Sequence, residues 1–329
     1  MRKLKQGTKC DWNPAICIPA RNEAHQIAEA IEPLVKQGGK VYVFDDESED
    51  ETAQIAASAG ATVIRSREKL PSGWTGKNRA CHELAKIVSE DHEGEWILFL
   101  DADVKPGPNF LNDLGTAVLA SKKSVITGFP SLLPGKFPEP VFMAWVVWLI
   151  AATNPFGLVT RTGLGHNFFM NGQIGAWKKS LYEEIWPHEV VKSEVLEDVK
   201  IGRLLGKKKI AIETLDLSSI LAVKMYPEIK AAFAGMSKNS ADIAGNSFGT
   251  IFLSILCLTW AIAWSFAGPM SWLFLLMFMI SHAFVMRVAK MPWWTILLIP
   301  VSLIMASITF LNSLMLKKRG MRAWKGRNY

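Results

Sequence analysis

The chain is short of cysteine. Four stand among its 329 residues, Cys10, Cys17, Cys81 and Cys257, with no CxxC pair and no zinc-ligand spacing. Cys17 falls in an apolar run expected to form a core strand, so the pattern speaks against a disulfide framework and for a reducing surrounding. Residues Met1 to Asn13 are basic and polar without an apolar h-region, and do not read as a secretory signal. Acidic residues are missing from Ser247 to Tyr329, where eight Lys/Arg stand alone; the rest holds 29 basic residues against 30 acidic, so the net +7 belongs to the C-terminal region. A nucleic-acid binder carries its basic face on the folded domain, and no nucleic-acid partner is expected. A basic, acid-free apolar region points to anionic lipid instead.

What is present over residues 15–130 is an alternation of apolar strands and amphipathic helices. The strands are expected at Ala15–Pro19, Lys40–Phe44, Ala61–Arg65, Trp96–Leu100 and Ser124–Thr127, with helical patterns such as Glu23–Val35 and Lys77–Ser89 between them. That βαβ series predicts an α/β fold, a mostly parallel sheet with helices on both faces. Residues 172–214 add a strand at Gly172–Trp177, a helix at Glu194–Leu205 and a strand at Lys208–Ile212.

Val141–Ala152 is apolar and uncharged but has only twelve residues, short of the ~20 a spanning helix needs. It reads as an interfacial or re-entrant helix, with a buried core helix as the other reading. Ser247–Ala267, Met270–Met286 and Trp293–Leu316 are each near spanning length, with Trp at several ends. Three crossings would put the tail Lys317–Tyr329 on the far side, yet its six Lys/Arg favour the cytosolic face. Pro300 is expected to break the third stretch into a re-entrant hairpin, which resolves the conflict.

Five motifs carry chemistry. Ile97–Leu100 lead into Asp101-Ala102-Asp103, a buried strand ending in Asp-x-Asp. Ligands of open α/β sheets bind beyond the carboxyl ends of the strands. Carboxylates there suit Mg²⁺ or Mn²⁺, which commonly also holds substrate phosphates. A lone Asp-x-Asp is more often a plain polar strand end; here other motifs fall at strand ends too. Ile18-Pro19-Ala20-Arg21-Asn22-Glu23 closes the first strand, and Phe44-Asp45-Asp46-Glu47-Ser48 closes the second. An acid there can accept from a ribose or a base edge, while Ser48 or Asp50 can cap the next helix. Gly73-Trp74-Thr75-Gly76-Lys77 precedes a helix, where backbone N–H groups and a lysine suit an anion; the spacing is not that of a Walker A loop, and a capped loop is the plain alternative. Glu197-Asp198 begins a helix, either as general base or as acids favoured by the helix dipole.

In this order the motifs IPARNE, VFDDES, GWTGK, FLDADV and LED resemble family 2 glycosyltransferases of the GT-A fold, over about residues 15–215. The GWTGK element is similar to the branch acting on terpenoid membrane lipids, the diaponeurosporenoate (carotenoid) and hopanoid-associated glycosyltransferases. The ending Trp324-Lys325-Gly326-Arg327-Asn328-Tyr329 resembles theirs as well. The resemblance implies a Rossmann-like catalytic domain over residues 1–240, with interfacial helices at about 138–160 and 226–245. Transmembrane helices over 247–316 and a basic tail over 317–329 would follow. The expected location is the cell membrane, multi-pass, with the catalytic domain cytosolic.

The resemblance also implies roles. Ala20, Glu23, Asp45, Asp46, Lys77, Asp101 and Asp103 match the donor site, Asp103 being the expected ligand of Mn²⁺ or Mg²⁺, and Asp198 matches the catalytic base. Trp74, Tyr226, Lys238, Trp324 and Arg327 fall at acceptor or membrane-edge positions. Asp46, Asp103 and Asp198 are expected to converge on one cavity. The implied reaction is inverting transfer of a sugar, glucose by preference, from a UDP-sugar to a membrane lipid acceptor such as a C30 carotenoid acid. The QxxRW motif of processive synthases is missing, which favours a single transfer. Two other readings stay open: a polyprenyl-phosphate sugar transferase, with Lys224, Lys230 and Lys238 meeting the acceptor phosphate, and a membrane-anchored nucleotide-sugar-binding scaffold without activity.

Overall fold

The computed structural model describes residues 2–4, 10–66, 68–153, 170–263, 268–319, 323–324 and 327–328. The chain divides into two compact units, one of residues 1–131 with 156–223 and one of residues 132–155 with 224–329. The expected catalytic span, residues 1–240, takes in the first unit and parts of the second. The segments read as interfacial attachments of the catalytic domain, about 138–160 and 226–245, belong largely to the second unit.

The first unit is an α/β domain. Its strands are β1 (Arg2–Lys3), β2 (Ala15–Ala20), β3 (Lys40–Asp45), β4 (Thr62–Arg65), β5 (Trp96–Leu100), β6 (Val104–Pro106), β7 (Val125–Phe129), β8 (Ser131–Leu132, at the unit boundary), β9 (Ile174–Lys178), β10 (Ile212–Asp216) and β11 (Leu221–Val223). Helices α1 (Ile27–Lys36), α2 (Thr52–Ser58), α3 (Gly76–Asp91) and α4 (Phe110–Leu119) alternate with the early strands. Later come α6 (Lys179–Ile185), α7 (Pro187–Val190) and α8 (Glu197–Lys207); α5 (Glu139–Thr153) belongs to the second unit.

Eight strands form the main sheet in the order β1-β10-β7-β9-β5-β2-β3-β4. All pairs are parallel except those of β9, which runs antiparallel to both β5 and β7. All five residues of β5 are buried, as expected of a central strand covered on both faces. The strands from β2 to β4 progress in one direction, and β5 then returns to the other side of β2. That reversal is a topological switch point, with its crevice at the carboxyl ends of β2 and β5. Because β9 is reversed, its start lies at the same edge: Leu100 pairs with Ile174, and Asp101 N donates to Gln173 O at 3.1 Å. The core beneath is built from Cys17, Leu84, Phe99, Trp177, Tyr182 and Leu205, among others.

In the second unit α5 packs with α9 (Ile229–Ile243) and α12 (Ile299–Arg319), alongside α10 (Ser247–Ala263) and α11 (Pro269–Val288). Residues 141–146 of α5 are buried, with Phe142 and Trp145 against Phe233 and Phe310. This half of α5 is a core helix, which corrects the interfacial reading. Among the described residues one helix, Trp293–Arg319, is found long and apolar enough to cross a bilayer; the apolar stretches Ser247–Ile262 and Leu275–Val288, parts of α10 and α11, are shorter. Three crossings are thus not supported, and the first expected stretch runs into residues outside those described. Nor does Pro300 break the third. It is the second residue of α12, after a 3-10 turn at Trp293–Leu298, where a proline costs no helical hydrogen bond. The tail backbone forms a short hairpin, β12 (Ala323–Trp324) with β13 (Arg327–Asn328).

Candidate active site

The crevice at the switch point is built from three chain segments. The first is the start of α3. Gly73, at φ +80°, makes the turn before it, and Thr75 caps it by accepting from Asn78 N at 3.4 Å. Lys77, in the first turn, reaches across the edge. Its ammonium lies 2.7 Å from Asp101 Oδ1 and 2.9 Å from Glu197 Oε1, and donates to Gly172 O at 3.0 Å. An ammonium has three donors, and this one has three acceptors, one from each element around it.

The second segment is the end of β5, which delivers Asp101. The third is the start of α8, which delivers Glu197 and Asp198. The turn at Asn171–Gln173 completes the floor, with Asn171 donating from N to Thr127 Oγ1 at 3.0 Å and from Nδ2 to Gly128 O at 2.8 Å. Gly172 is there because space is short: a Cβ would stand 3.2 Å from Asp198 Oδ2 and 3.4 Å from Lys77 Nζ.

Charge is concentrated in this cavity. Burial raises the Asp101 carboxyl above its ordinary range; Lys77 opposes this, while Glu197 and Glu23 add to it. Burial would push the Lys77 ammonium down, but Asp101 and then Glu197 outweigh it and hold it well above its usual value. Asp198 is pushed up to about 7, by burial first and then by Glu197, with Lys77 and a 2.7 Å bond from Val199 N opposing. A carboxylate titrating near neutrality is poised to exchange protons.

Of the expected residues, Lys77, Asp101 and Asp198 line this cavity, together with Glu197, which the sequence reading left out of the site; Ala20, Glu23, Asp45, Asp46, Asp103 and Trp74 do not. Asp46 and Asp103 stand outside the residues that line this cavity. Asp45 ends β3, the neighbour of β2, Asp46 follows it, and both are buried. The Asp45 carboxylate turns back to accept from Ser48 N at 3.3 Å. Arg21 donates to the carbonyls of Asp46 (2.6 Å) and Glu47 (3.0 Å), Asn22 N donates to Ser48 Oγ, and Glu23 N to Thr52 Oγ1. The β2–α1 and β3–α2 loops are interlocked by these bonds. Ala20 is the last residue of β2, facing Asp45 in register. Asp103 is half-buried at the head of β6.

Trp74 leads into α3, its ring 5.2 Å from that of His82 and under the Lys192 ammonium at 5.8 Å. Tyr226 and Lys238 lie in the second unit, where the Tyr226 ring fills the space a Cβ at Gly235 would need. The side chains of Trp324 and Arg327 lie outside the described residues. Besides Glu197, sequence reasoning missed His188, which lines the cavity and meets Tyr182 Oη through Nδ1 at 2.7 Å. Only the ED pairing signalled the first; nothing local signalled the second.

A divalent cation fits the chemistry of the strand end. Among the described residues no three His, Cys, Asp or Glu converge into a cage. Mg²⁺-type sites need only one or two carboxylates with substrate phosphates; Asp101 and Asp103 are the carboxylates at this strand end, and Asp101 is held by Lys77 at 2.7 Å.

The fold and crevice define a doubly wound α/β domain with an acidic, lysine-pinned site at its switch point. Residues 15–171 match the family described as glycosyl transferase family 2. It resembles the 4,4'-diaponeurosporenoate glycosyltransferases of Staphylococcus aureus and Staphylococcus haemolyticus. The first is 24% identical over 250 residues, covering 73% of this chain and 64% of that protein. The second is 24% identical over 262 residues, covering 77% and 68%. Among solved structures the chain is similar to glucosyl-3-phosphoglycerate synthase from Mycobacterium tuberculosis, in complex with Mn²⁺, UDP and glucosyl-3-phosphoglycerate. That match has 21% identity and a TM-score of 0.44, covering 66% of this chain and 74% of that one.

Proposed function

We propose that this protein is an inverting, non-processive glycosyltransferase that moves a sugar, glucose by preference, from a UDP-sugar to a membrane terpenoid lipid such as a C30 carotenoid acid. The observation that carries the reading is the meeting of Lys77, Asp101, Glu197 and Asp198 in one cavity at the sheet's switch point. The family match over residues 15–171 and the likeness to diaponeurosporenoate glycosyltransferases support the reaction class and the acceptor class.

In this reading the nucleoside lies along the ends of β2 and β3, beside Ala20, Asp45 and Asp46. The diphosphate lies toward the start of α3, where the helix N-terminus and Lys77 favour an anion. Asp103, with Asp101 beside it, would hold Mn²⁺ or Mg²⁺ together with the donor's phosphates, where the cation would offset charge growing on the leaving group. Asp198 faces the acceptor. Its carboxylate takes the proton of an acceptor hydroxyl as the acceptor oxygen bonds to the anomeric carbon. The bond from that carbon to the diphosphate breaks, its electron pair leaves with UDP, and attack from the opposite face inverts the configuration. A carboxylic acid acceptor is already ionised at neutral pH, and then Asp198 has no proton to take.

The helix Trp293–Arg319 and the outward apolar side chains Phe248, Trp272, Ile280, Phe284 and Leu297 support the bilayer as partner. The catalytic unit then works at the cytosolic surface of the cell membrane, where UDP-sugars and lipid acids meet.

The test is incubation of purified protein with UDP-glucose, Mn²⁺ and a bacterial lipid extract, followed by mass spectrometry of the lipids. A hexosylated carotenoid acid is the expected product. A hexosyl phosphate lipid would move the assignment to polyprenyl-phosphate transfer. Binding of UDP with no UDP release on any extract would leave a scaffold.

A further inference from the structure

The segment that brings Asp198 to the cavity holds itself by one turn, Glu194 N to Val191 O at 2.9 Å, and by the Lys200–Glu194 pair at 3.0 Å, and is otherwise gripped from α3. Residues 191–196 join α7 to α8 without regular structure, and Leu196, the N-cap of α8, makes no side-chain capping bond. The hold on its carbonyls from outside the segment comes from α3. Asn78 is fully buried, and its amide nitrogen donates to Val191 O at 2.8 Å and Glu194 O at 3.0 Å, with Lys192 O at 3.3 Å. Thr75 N adds a bond to Lys192 O at 2.7 Å. Lys77, the preceding residue, takes Glu197. Neighbours on one helical turn therefore grip the chain on the approach to Asp198 and beside it.

We propose that Asn78 is a positioning residue for Asp198: its amide fixes the 191–196 segment and so sets where the carboxylate stands relative to the acceptor. The proposal rests on the transferase reading above. Its physical basis is that small displacements of a reacting group are costly in rate, of order 10²-fold for ~1 Å. A side chain that only filled space would affect stability and leave the chemical step alone.

The experiment compares Asn78→Asp, which keeps the shape but turns the donor into an acceptor facing three carbonyls, in the wild-type and Asp198→Asn backgrounds of the full-length protein. With a hydroxyl-bearing lipid acceptor, kcat should fall by roughly 10–100-fold, with KM for UDP-glucose nearly unchanged. In the Asp198→Asn background the same change should cost almost nothing more. Hydrogen–deuterium exchange should quicken at residues 191–199 and stay unchanged in β2, β3 and β5. An equal loss in both backgrounds, an unchanged kcat, or exchange that quickens across the whole sheet would overturn the proposal. Should Asn78→Asp not fold, Asn78→Ser, with its shorter hydroxyl donor, is read by the same measurements. Wild-type protein that transfers no sugar at all would sink the transferase reading and with it the catalytic half of the proposal, while exchange at 191–199 would still decide whether Asn78 holds the segment.

Discussion

The Lys77 ammonium stands 2.7 Å from the Asp101 carboxylate, tying the first turn of α3 to the end of β5. The two residues come from motifs that look unrelated in the chain, a glycine-rich turn and an Asp-x-Asp. Their contact, with Glu197 as third member at 2.9 Å from the same ammonium, sets one cation among the acids of the crevice.

Lys77→Met removes the cation and leaves Asp101 and Glu197 facing each other. Breaking a fully buried pair costs about 3–5 kcal/mol; the Lys77 side chain is 33% exposed, so solvent screening should reduce the loss to about 1–2 kcal/mol. Urea midpoints measure it. Adding Asp101→Asn should recover part of the stability, because it removes the carboxylate left without its cation; no recovery would mean the pair is not coupled.

Asp198→Asn should lower turnover by about 10²–10⁴-fold on a hydroxyl acceptor, the range for a lost general base. On a carboxylic acid acceptor the loss should be much smaller. With the hydroxyl acceptor, wild-type kcat should fall as pH drops below about 7, where Asp198 takes up its proton, and the variant should lack that limb. Equal large losses on both acceptors would count against the assigned role.

His188 is pushed down to about 3, by burial first and then by the charges of Lys77 and His82. Unfolded, it titrates near the ordinary histidine value of ~6.5. Between those values the unfolded chain binds a proton that the folded chain does not, so this contribution is whole above ~6.5 and is lost as pH falls toward 3. Urea midpoints at neutral and mildly acidic pH should show the decline, and His188→Gln should flatten it. A variant as acid-sensitive as the wild type would assign the decline to other groups.

Gly172→Ala should act on catalysis more than on stability. The new methyl would press on Asp198 Oδ2 at 3.2 Å and on Glu197 Oε1 and Lys77 Nζ at 3.4 Å, the ends of side chains that can shift by tenths of an ångström. We expect a melting temperature within a few degrees of wild type and kcat down roughly 10-fold or more. A thermal melt and an initial-rate assay decide it, and unchanged kcat would show the floor to be looser than the distances imply.

Several elements were legible because their signals are local. Trp96–Leu100 is the strand read from its apolar run, and Lys77 and Glu197-Asp198 were each placed at a helix start. Other boundaries moved for reasons of packing. The strand expected at 208–212 begins at Ile212, because α8 ends in a turn with Lys209 at φ +58° and Ile210 N returning to Leu205 O. The helix expected from Glu194 starts at Glu197; Glu194 turns back to Val191 O and gives its own carbonyl to Asn78 Nδ2, and Leu196 caps the helix with non-helical backbone. For Val141–Ala152, composition is equally apolar whether the neighbour is lipid or protein, and only the packed partners Phe233 and Phe310 separate the two.

By itself the sequence determined which chemistry is present: the α/β alternation, the acids at strand ends, the lysine at a helix start and the acid-free apolar C-terminal region. Those follow from periodicity and residue type, which act over a few positions. Which acids share the lysine was decided only by the tertiary structure. The return of β5 beside β2 and the reversal of β9 bring residues 77, 101, 172 and 197 to one edge. Strand order is set by burial of the whole sheet, and no local pattern encodes it.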